Sequence, residues 1–495
     1  MYRKRNRSQL TLDDFILPFG GKLKAENRWV KLAQMIPWDY VEDIYAKSMC
    51  GDNGAGAISS RIAFGAIFIK EHENLTDQGT VGYIAENPYM QYFLGLHEYD
   101  QEPLFDASMM VHFRKRYPAD MVRAINKRMF AGCSAKGGDG DDKGSGGEGG
   151  TQGGEANEVI PEDEQPVQNL GKLILDATCA PSDIRYPTDI SLLNEARENT
   201  EELIDKLWGH GPGQGRKTRY HRRKARSEYL GIAKQKKPRY RKINAAIRGQ
   251  LQYVKSNIDT LGQLLMRVGT DLLSGRELER LAVICAVHRQ QSLMYQSGER
   301  KCGNRIVSLR QPHIRPILRG KAGNECEFGQ KISLSVVSGY TFIERQSYNN
   351  FNEGAGLIAC VEGYRDTYGY YPEAILVDKI YRNRTNLNYC KGRNIRLSGP
   401  KLGRPGKDAG RDRKIEYSDM CARNIVEGRS GTAKRRFGLD LIMAYLPETG
   451  MTEAALQILC MNTRIRLLFL AIRKWVEKRF CVHIFVHCYA VNSCH

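Results

Sequence analysis

Apolar positions over the first 133 residues recur at helical intervals. Trp29, Leu32 and Met35 share one face, Val41, Ile44 and Tyr45 follow a break at Pro37, and Ile58 to Lys70 is apolar at helical spacing. Asn87-Pro88 opens a short aromatic segment, Tyr89, Tyr92 and Phe93, which Gly95 closes. Asp106 predicts an N-cap for a helix through Met110 and Phe113 that ends in Arg114-Lys115-Arg116. Several short helices with a basic end suit an all-α, helix-turn-helix-like reader of DNA. A plain helical bundle suits the same pattern.

After Leu170 the period changes. Lys172-Leu-Ile-Leu-Asp176 and Glu373-Ala-Ile-Leu-Val-Asp378 are apolar runs that each end on an acid. Lys331 to Val337 and Tyr340 to Ile343 predict a hairpin turned by Ser338-Gly339. Helices are expected from Leu192 to about Gln296, from Glu353 to Tyr368, and from near Ala422. Strands and helices on a mixed sheet make an α/β domain with a basic helical insertion. No apolar run approaches the ~18 residues of a membrane helix. The best, Leu467 to Ile472, stops at Arg473 and Lys474, so no membrane partner is expected.

Composition divides this pattern. Gly fills ten of the eighteen positions from Gly137 to Gly154, and Lys136 to Gln168 holds nine acidic residues against two Lys. Such a stretch buries too little apolar surface to offset its ordering entropy and is expected to be a flexible tether. The expected organisation is a helical domain over 1–133, a linker over 134–169, a catalytic domain over 170–479 with its insertion at 190–325, and a tail over 480–495. The net charge is +19 and the pI near 9.3, which points to a polyanionic partner. Thirteen scattered cysteines without a Cys-x-x-Cys argue against a disulfide framework. With no signal-peptide core, because Asp13 and Asp14 interrupt Leu10 to Phe19, the expected location is a reducing cytoplasm.

Candidate chemistry centres on acids. Asp176 and Asp378 each follow strand-type residues, and catalytic groups in open α/β sheets sit at the carboxyl ends of strands. Glu427 lies in Arg423-Asn-Ile-Val-Glu427, where Arg423 is one helical turn before it and Lys434 is two turns after it. Three carboxylates can hold two Mg²⁺ ions for phosphoryl transfer. A lone Asp after a strand is also an ordinary cap or turn.

These residues resemble the DDE signature of bacterial insertion-sequence transposases, most closely the insertion-sequence-five group. The matching text is Leu-Asp176-Ala-Thr, Leu-Val-Asp378-Lys-Ile-Tyr, and Arg-x₃-Glu-x₆-Lys at Arg423, Glu427 and Lys434. Further matching stretches run from Asp176 to Asp189, Arg315 to Lys321, Glu327 to Lys331 and Ile395 to Pro405. The likeness implies an α/β, RNase H-like catalytic core preceded by a DNA-binding domain. It implies Asp176, Asp378 and Glu427 as catalytic residues and ligands of two Mg²⁺, for which Mn²⁺ can substitute. It implies double-stranded DNA as partner, both terminal inverted repeats and target, cut and joined by a homodimer or larger synaptic complex in the bacterial nucleoid. Ser430 stands where that family carries an aromatic residue, which would loosen the helix bearing Glu427 if the position is buried.

Basic residues add candidate DNA contacts. Arg216 to Arg248 holds fourteen Lys or Arg and one acid, with Tyr220, His221, Tyr229 and Tyr240 interleaved. Within it Arg222, Arg223 and Lys224 are expected to neutralise phosphates and the aromatics to stack on exposed bases. A solvated basic coil is the other reading. Arg382 and Arg384 follow Asp378, and Lys331, Arg423, Lys434 and Arg435 are expected to face DNA beside the acids. Lys391, Arg393 and the loop Gly406 to Arg413 add charge close by. Asp183 and Asp189 either orient the metal site or cap a turn. The tail holds Cys481, His483, His487 and Cys488, but it reads as a strand and matches no zinc-finger spacing. No phosphate-binding loop or nucleophile–base arrangement is visible. Rival functions are a metal-dependent nuclease without joining, a decayed DNA-binding copy, and an RNA-binding protein.

Overall fold

The computed structural model describes residues 11–49, 56–134, 168–209, 221–299, 301–321, 324–399 and 409–492. Most of the expected tether, Tyr220, and residues 406–408 lie outside them; the rest of the expected Gly406 to Arg413 loop is helical from Ala409.

Among the described residues the N-terminal apolar pattern folds into seven α-helices: α1 (Arg28–Met35), α2 (Trp38–Lys47), α3 (Ser60–Glu73), α4 (Asp77–Glu86), α5 (Pro88–Phe93), α6 (Met109–Arg116) and α7 (Ala119–Phe130). Asn27 and Asn87 cap α1 and α5 by accepting from the Trp29 and Tyr89 amides. Trp29, Trp38, Phe64, Phe68 and Phe93 pack edge-to-face at their centre. Asp106 does not cap α6 itself. It accepts from Ser108 in the turn before the helix, which starts later because Ser108 takes the N-cap place. The basic end of α6 also turns inward: Arg114 grips both oxygens of Asp77, and Arg116 donates to the Tyr45 hydroxyl. Only Lys115 of those three is exposed.

Among the described residues the sheet has six strands: β1 (Lys172–Pro181), β2 (Arg315–Lys321), β3 (Asn324–Val337), β4 (Tyr340–Ser347), β5 (Ala374–Leu376) and β6 (Arg396–Leu397). β1 pairs antiparallel with β3, which pairs antiparallel with both β2 and β4. On its other side β1 pairs parallel with β5, and β5 with β6. The β3–β4 hairpin turns at Ser338 and Gly339, both at positive φ (50° and 86°), as its sequence predicted. Gly329 is required where β3 crosses β1, because an added Cβ would collide with the Ala180 carbonyl.

Successive residues of β1 serve opposite layers. Leu173 and Leu175 pack on α12 (Leu357–Tyr368) and α13 (Arg384–Gly392). Ile174 and Ala180 face α14 (Ala409–Phe437) and α15 (Pro447–Asn492). The N-terminal helices join that second layer, so one continuous apolar core runs from Phe15 through α7 and α15 to the sheet. A buried polar knot crosses it. Asn462 of α15 donates to Asn126 of α7 and to the Thr341 carbonyl, and accepts from the Thr341 amide.

The insertion contains α8 (Asp189–Trp208), α9 (Arg222–Ala233), α10 (Tyr240–Val268) and α11 (Gly275–Ser297), with cores of its own. It is shorter than the expected 190–325 at its far end. β2 and the start of β3 belong to the sheet, because the pairing of β3 continues from β4 onto β2. α14 begins thirteen positions before Ala422, in a stretch too polar to show a helical period. The tail is not a strand: α15 continues through it to Asn492. The side chains of Cys481, His483, His487 and Cys488 lie outside the described residues. Pro447–Arg479 is long and apolar enough, by length and composition, to cross a membrane. No such span was visible as an unbroken run, because Gln457, Asn462 and Thr463 interrupt it. Half of its most apolar window is buried, against α3, α7 and the sheet, as in a core helix.

Candidate active site

Strand register brings the first two acids together. β1 and β5 run parallel with Ile174 beside Leu376, and two residues further along each chain stand Asp176 and Asp378. Asp378 follows the end of β5, as expected, and caps a short 3-10 turn by accepting from Lys379 at 2.6 Å. Asp176 is not at a strand end but in mid-strand. β1 runs on to Pro181 because β3 continues to pair with it after β5 has stopped.

α14 brings the third acid. Val426, Ala433 and Phe437 bury its inner face, and Asp419 is ion-paired to Arg396 of β6. Glu427 is then left exposed over the acids on the sheet. Arg423 binds them together. Its guanidinium lies 3.3 Å from the Asp378 carboxylate and 3.5 Å from that of Glu427. Asp176 also senses it. Burial pushes the Asp176 carboxyl above the usual carboxylate range, the charges of Glu353 and Glu427 add to the rise, and Arg423 opposes it.

Glu353 is a site residue that sequence reasoning did not single out. It reads as an ordinary acid in the first turn of a helix, with no signal in its neighbours. In the structure it lies in a 3-10 turn and pairs with Lys331 at 2.8 Å. Lys331 also donates to Asn350 and to the Phe351 carbonyl.

The expected DNA contacts separate into two groups. Arg423 is held between two acids, and Lys331 by Glu353, Asn350 and the Phe351 carbonyl. Arg382 donates to the Leu397 and Ser398 carbonyls, and Arg222 ties α9 to Glu201 and Asp205 of α8. Lys434 is half-buried and partnered. Arg223, Lys224, Arg384 and Arg435 are exposed. Asp189 accepts from Arg305 and Gln291, which makes it a support of the insertion. Ser430, one turn after Glu427, is half-buried.

The donor set suits a hard divalent cation: three carboxylate side chains, one already raised in pKa by burial and like charge. As the side chains stand, no three acidic, histidine or cysteine groups among the described residues are close enough to hold one ion. The Arg423 guanidinium bridges two of the acids instead.

Two segments of the chain match known families. Residues 375–464, which carry Asp378 and Glu427, match the transposase DDE domain, and residues 18–116, covering α1 to α6, match a second transposase domain. The chain is also similar to an uncharacterized protein, ORF8 of the nfe locus, of Rhizobium meliloti. They are 33% identical over 87 residues, which is 18% of this chain and 42% of that protein. No solved structure matches the chain. Both matched segments are therefore similar to transposase domains. A mixed α/β sheet with many helices is compatible with the DDE domain.

Proposed function

We propose that the protein is a DDE transposase that binds the terminal inverted repeats of an insertion element, cuts the DNA at them and joins the freed ends to target DNA. The observation that carries this reading is the gathering of Asp378 and Glu427 on Arg423, with Asp176 beside them. Three antiparallel strands joined through β1 to two parallel ones, with helices on both faces, support an RNase H-like core. The insertion-sequence-five group remains the resemblance that the motifs favour.

Asp176, Asp378 and Glu427 would hold the divalent ions, Mg²⁺ or Mn²⁺. When bound, these supply activation of a water or 3′-hydroxyl and charge stabilisation at the leaving 3′-oxygen. The chain's own part is positioning. The β1–β5 register fixes two acids, and the anchoring of α14 through Asp419 and Val426 fixes the third. Arg423, once its acids are neutralised otherwise, is free to turn to a DNA phosphate. Arg223, Lys224, Arg384 and Arg435 would hold the duplex by phosphate contacts, giving a steep salt dependence. Two ends must be cut together, so a homodimer or larger complex is proposed, acting in the bacterial cytoplasm.

The test is Mg²⁺-dependent processing of labelled duplex carrying the element's ends, comparing wild type with Asp378→Asn. Wild type should cut and join. The variant should lose on the order of 10³-fold in rate or more while binding persists. Retained cleavage by the variant would refute the assignment, and cutting without joining would make the protein a nuclease.

A further inference from the structure

Between the helical insertion and the sheet runs a groove of about 960 Å³. Helices α9, α10 and α11 form one wall, and the segment after β1 with β2 and β3 forms the other. Four tyrosines from four separate segments line it: Tyr186, Tyr229 of α9, Tyr240 of α10 and Tyr295 of α11. Tyr186 is 72% exposed, Tyr240 55% and Tyr295 39%. Soluble proteins rarely leave so much aromatic surface open around one concavity without a ligand. Tyr186 is held edge-to-face on Phe328, ring centroids 5.6 Å apart, and Arg185 donates to the Tyr229 hydroxyl at 3.4 Å.

The rim is cationic. Arg185 and Lys301 line the groove, and Lys236, Lys237 and Arg239 stand exposed on the loop between α9 and α10. Of the two acids that line it, Asp189 is neutralised by Arg305, leaving Glu299. Rings at the centre and cations at the edge match a polyanion whose flat groups are accessible. A duplex fits poorly, because its bases are stacked inside and only its phosphates meet the protein.

We propose that this groove binds unpaired nucleotides of single-stranded DNA, with bases stacked on Tyr186, Tyr240 and Tyr295 and the backbone along the basic rim. Its position beside the acids rests on the transposase reading; its ligand chemistry does not. Asn350 lines the groove and accepts from Lys331, which pairs with Glu353 beside Asp176. From Asp176 to Pro181 the extended strand covers about 17 Å, and Tyr186 follows five residues later. A strand whose end lies at the acids would feed its adjoining nucleotides into the groove.

The experiment measures binding by anisotropy of fluorescein-labelled probes of about 20 nucleotides. The same sequence is offered as single-stranded DNA, blunt duplex and RNA to the full chain. Tyr186→Ala/Tyr240→Ala should weaken single-strand binding about 10- to 100-fold and leave duplex binding within about twofold. Tyr186→Phe/Tyr240→Phe, which keeps both rings, should retain wild-type affinity and so separates stacking from a folding defect. Equal loss on duplex, no loss on the single strand, or tighter binding of the RNA would each overturn the proposal. Asp378→Asn should bind the single strand as wild type does. Failure of the transposase chemistry and failure of the groove are therefore seen in different assays.

Discussion

Helices α14 and α15 follow one another in the chain and do opposite work. α14 is 29 residues long and, among its described side chains, buries few: Val426, Ala433, Phe437 and the ion-paired Asp419. α15 is 46 residues long and is buried on every side from Thr452 to Thr463. α14 carries Glu427 and Arg423 across the face of the sheet. α15 carries no residue of the candidate site but joins the N-terminal helices to the sheet through Asn462 and a shared apolar core. The proposed chemistry therefore rides on a lightly anchored helix, beside a deeply buried one. Adjustable side chains such as Arg423 belong on the first, because a reactive centre must exchange partners and a core must not.

This contrast is broken or sharpened by substitution, starting with the largest expected effect. Leu459→Ala in the middle of α15, where the side chain is wholly buried, should destabilise the protein by about 2–5 kcal/mol. Denaturant unfolding measures it, and a loss as small as that of a surface mutant would deny α15 its central place. Glu453, also on α15, is next. Burial and the nearby charge of Glu71 push its carboxyl up to about 7, against the opposing pull of Lys70 and the Met443 and Ala444 amides. The folded state then binds this proton more tightly than the unfolded chain does. The sign follows: stability is highest below the ordinary carboxylate pKa and falls as pH rises toward about 7. Glu453→Gln should flatten that fall, by on the order of 1 kcal/mol, in melting temperatures recorded from pH 5 to 8. An unchanged pH profile would show that Glu453 is not responsible. The smallest effect is expected on α14. Ser430 is only half-buried, so Ser430→Phe should shift stability by less than about 1 kcal/mol. A larger gain in both melting temperature and cleavage rate would mean that α14 is under-packed and that Ser430 limits the enzyme.

Local signals were legible in the sequence and long-range ones were not. The Ser338-Gly339 hairpin, the aromatic segment opened by Asn87-Pro88 and the apolar run that ends at Asp378 each depend on a few adjacent residues, and each stands where expected. The extension of β1 beyond Asp176 depends on pairing with distant β3, where Pro181 meets Gly329, and the sequence near Asp176 does not report it. α15 escaped recognition as a core helix because its polar residues Gln457 and Asn462 interrupt the apolar run, and they find partners only in α3, α7 and β4. The same holds at the site. Motif and flanking text single out Asp176, Asp378 and Glu427 as candidates. The role of Arg423 between two of them, the presence of Glu353, and the commitment of Lys331, Arg382 and Arg222 to internal ion pairs and carbonyls were not legible. A basic residue in a sequence carries no mark of whether its charge is already spent.

The central claim is that Asp176, Asp378 and Glu427 border one cation site. Iron-directed backbone cleavage tests it most directly. Fe²⁺ is added in place of Mg²⁺, with ascorbate and peroxide, and the cut positions are read by mass spectrometry. The account predicts cuts clustered in three segments, around residues 176, 378 and 427, all lost together in Asp378→Asn and suppressed by excess Mg²⁺. Cuts confined to one of those segments, or unaffected by Asp378→Asn, would contradict it.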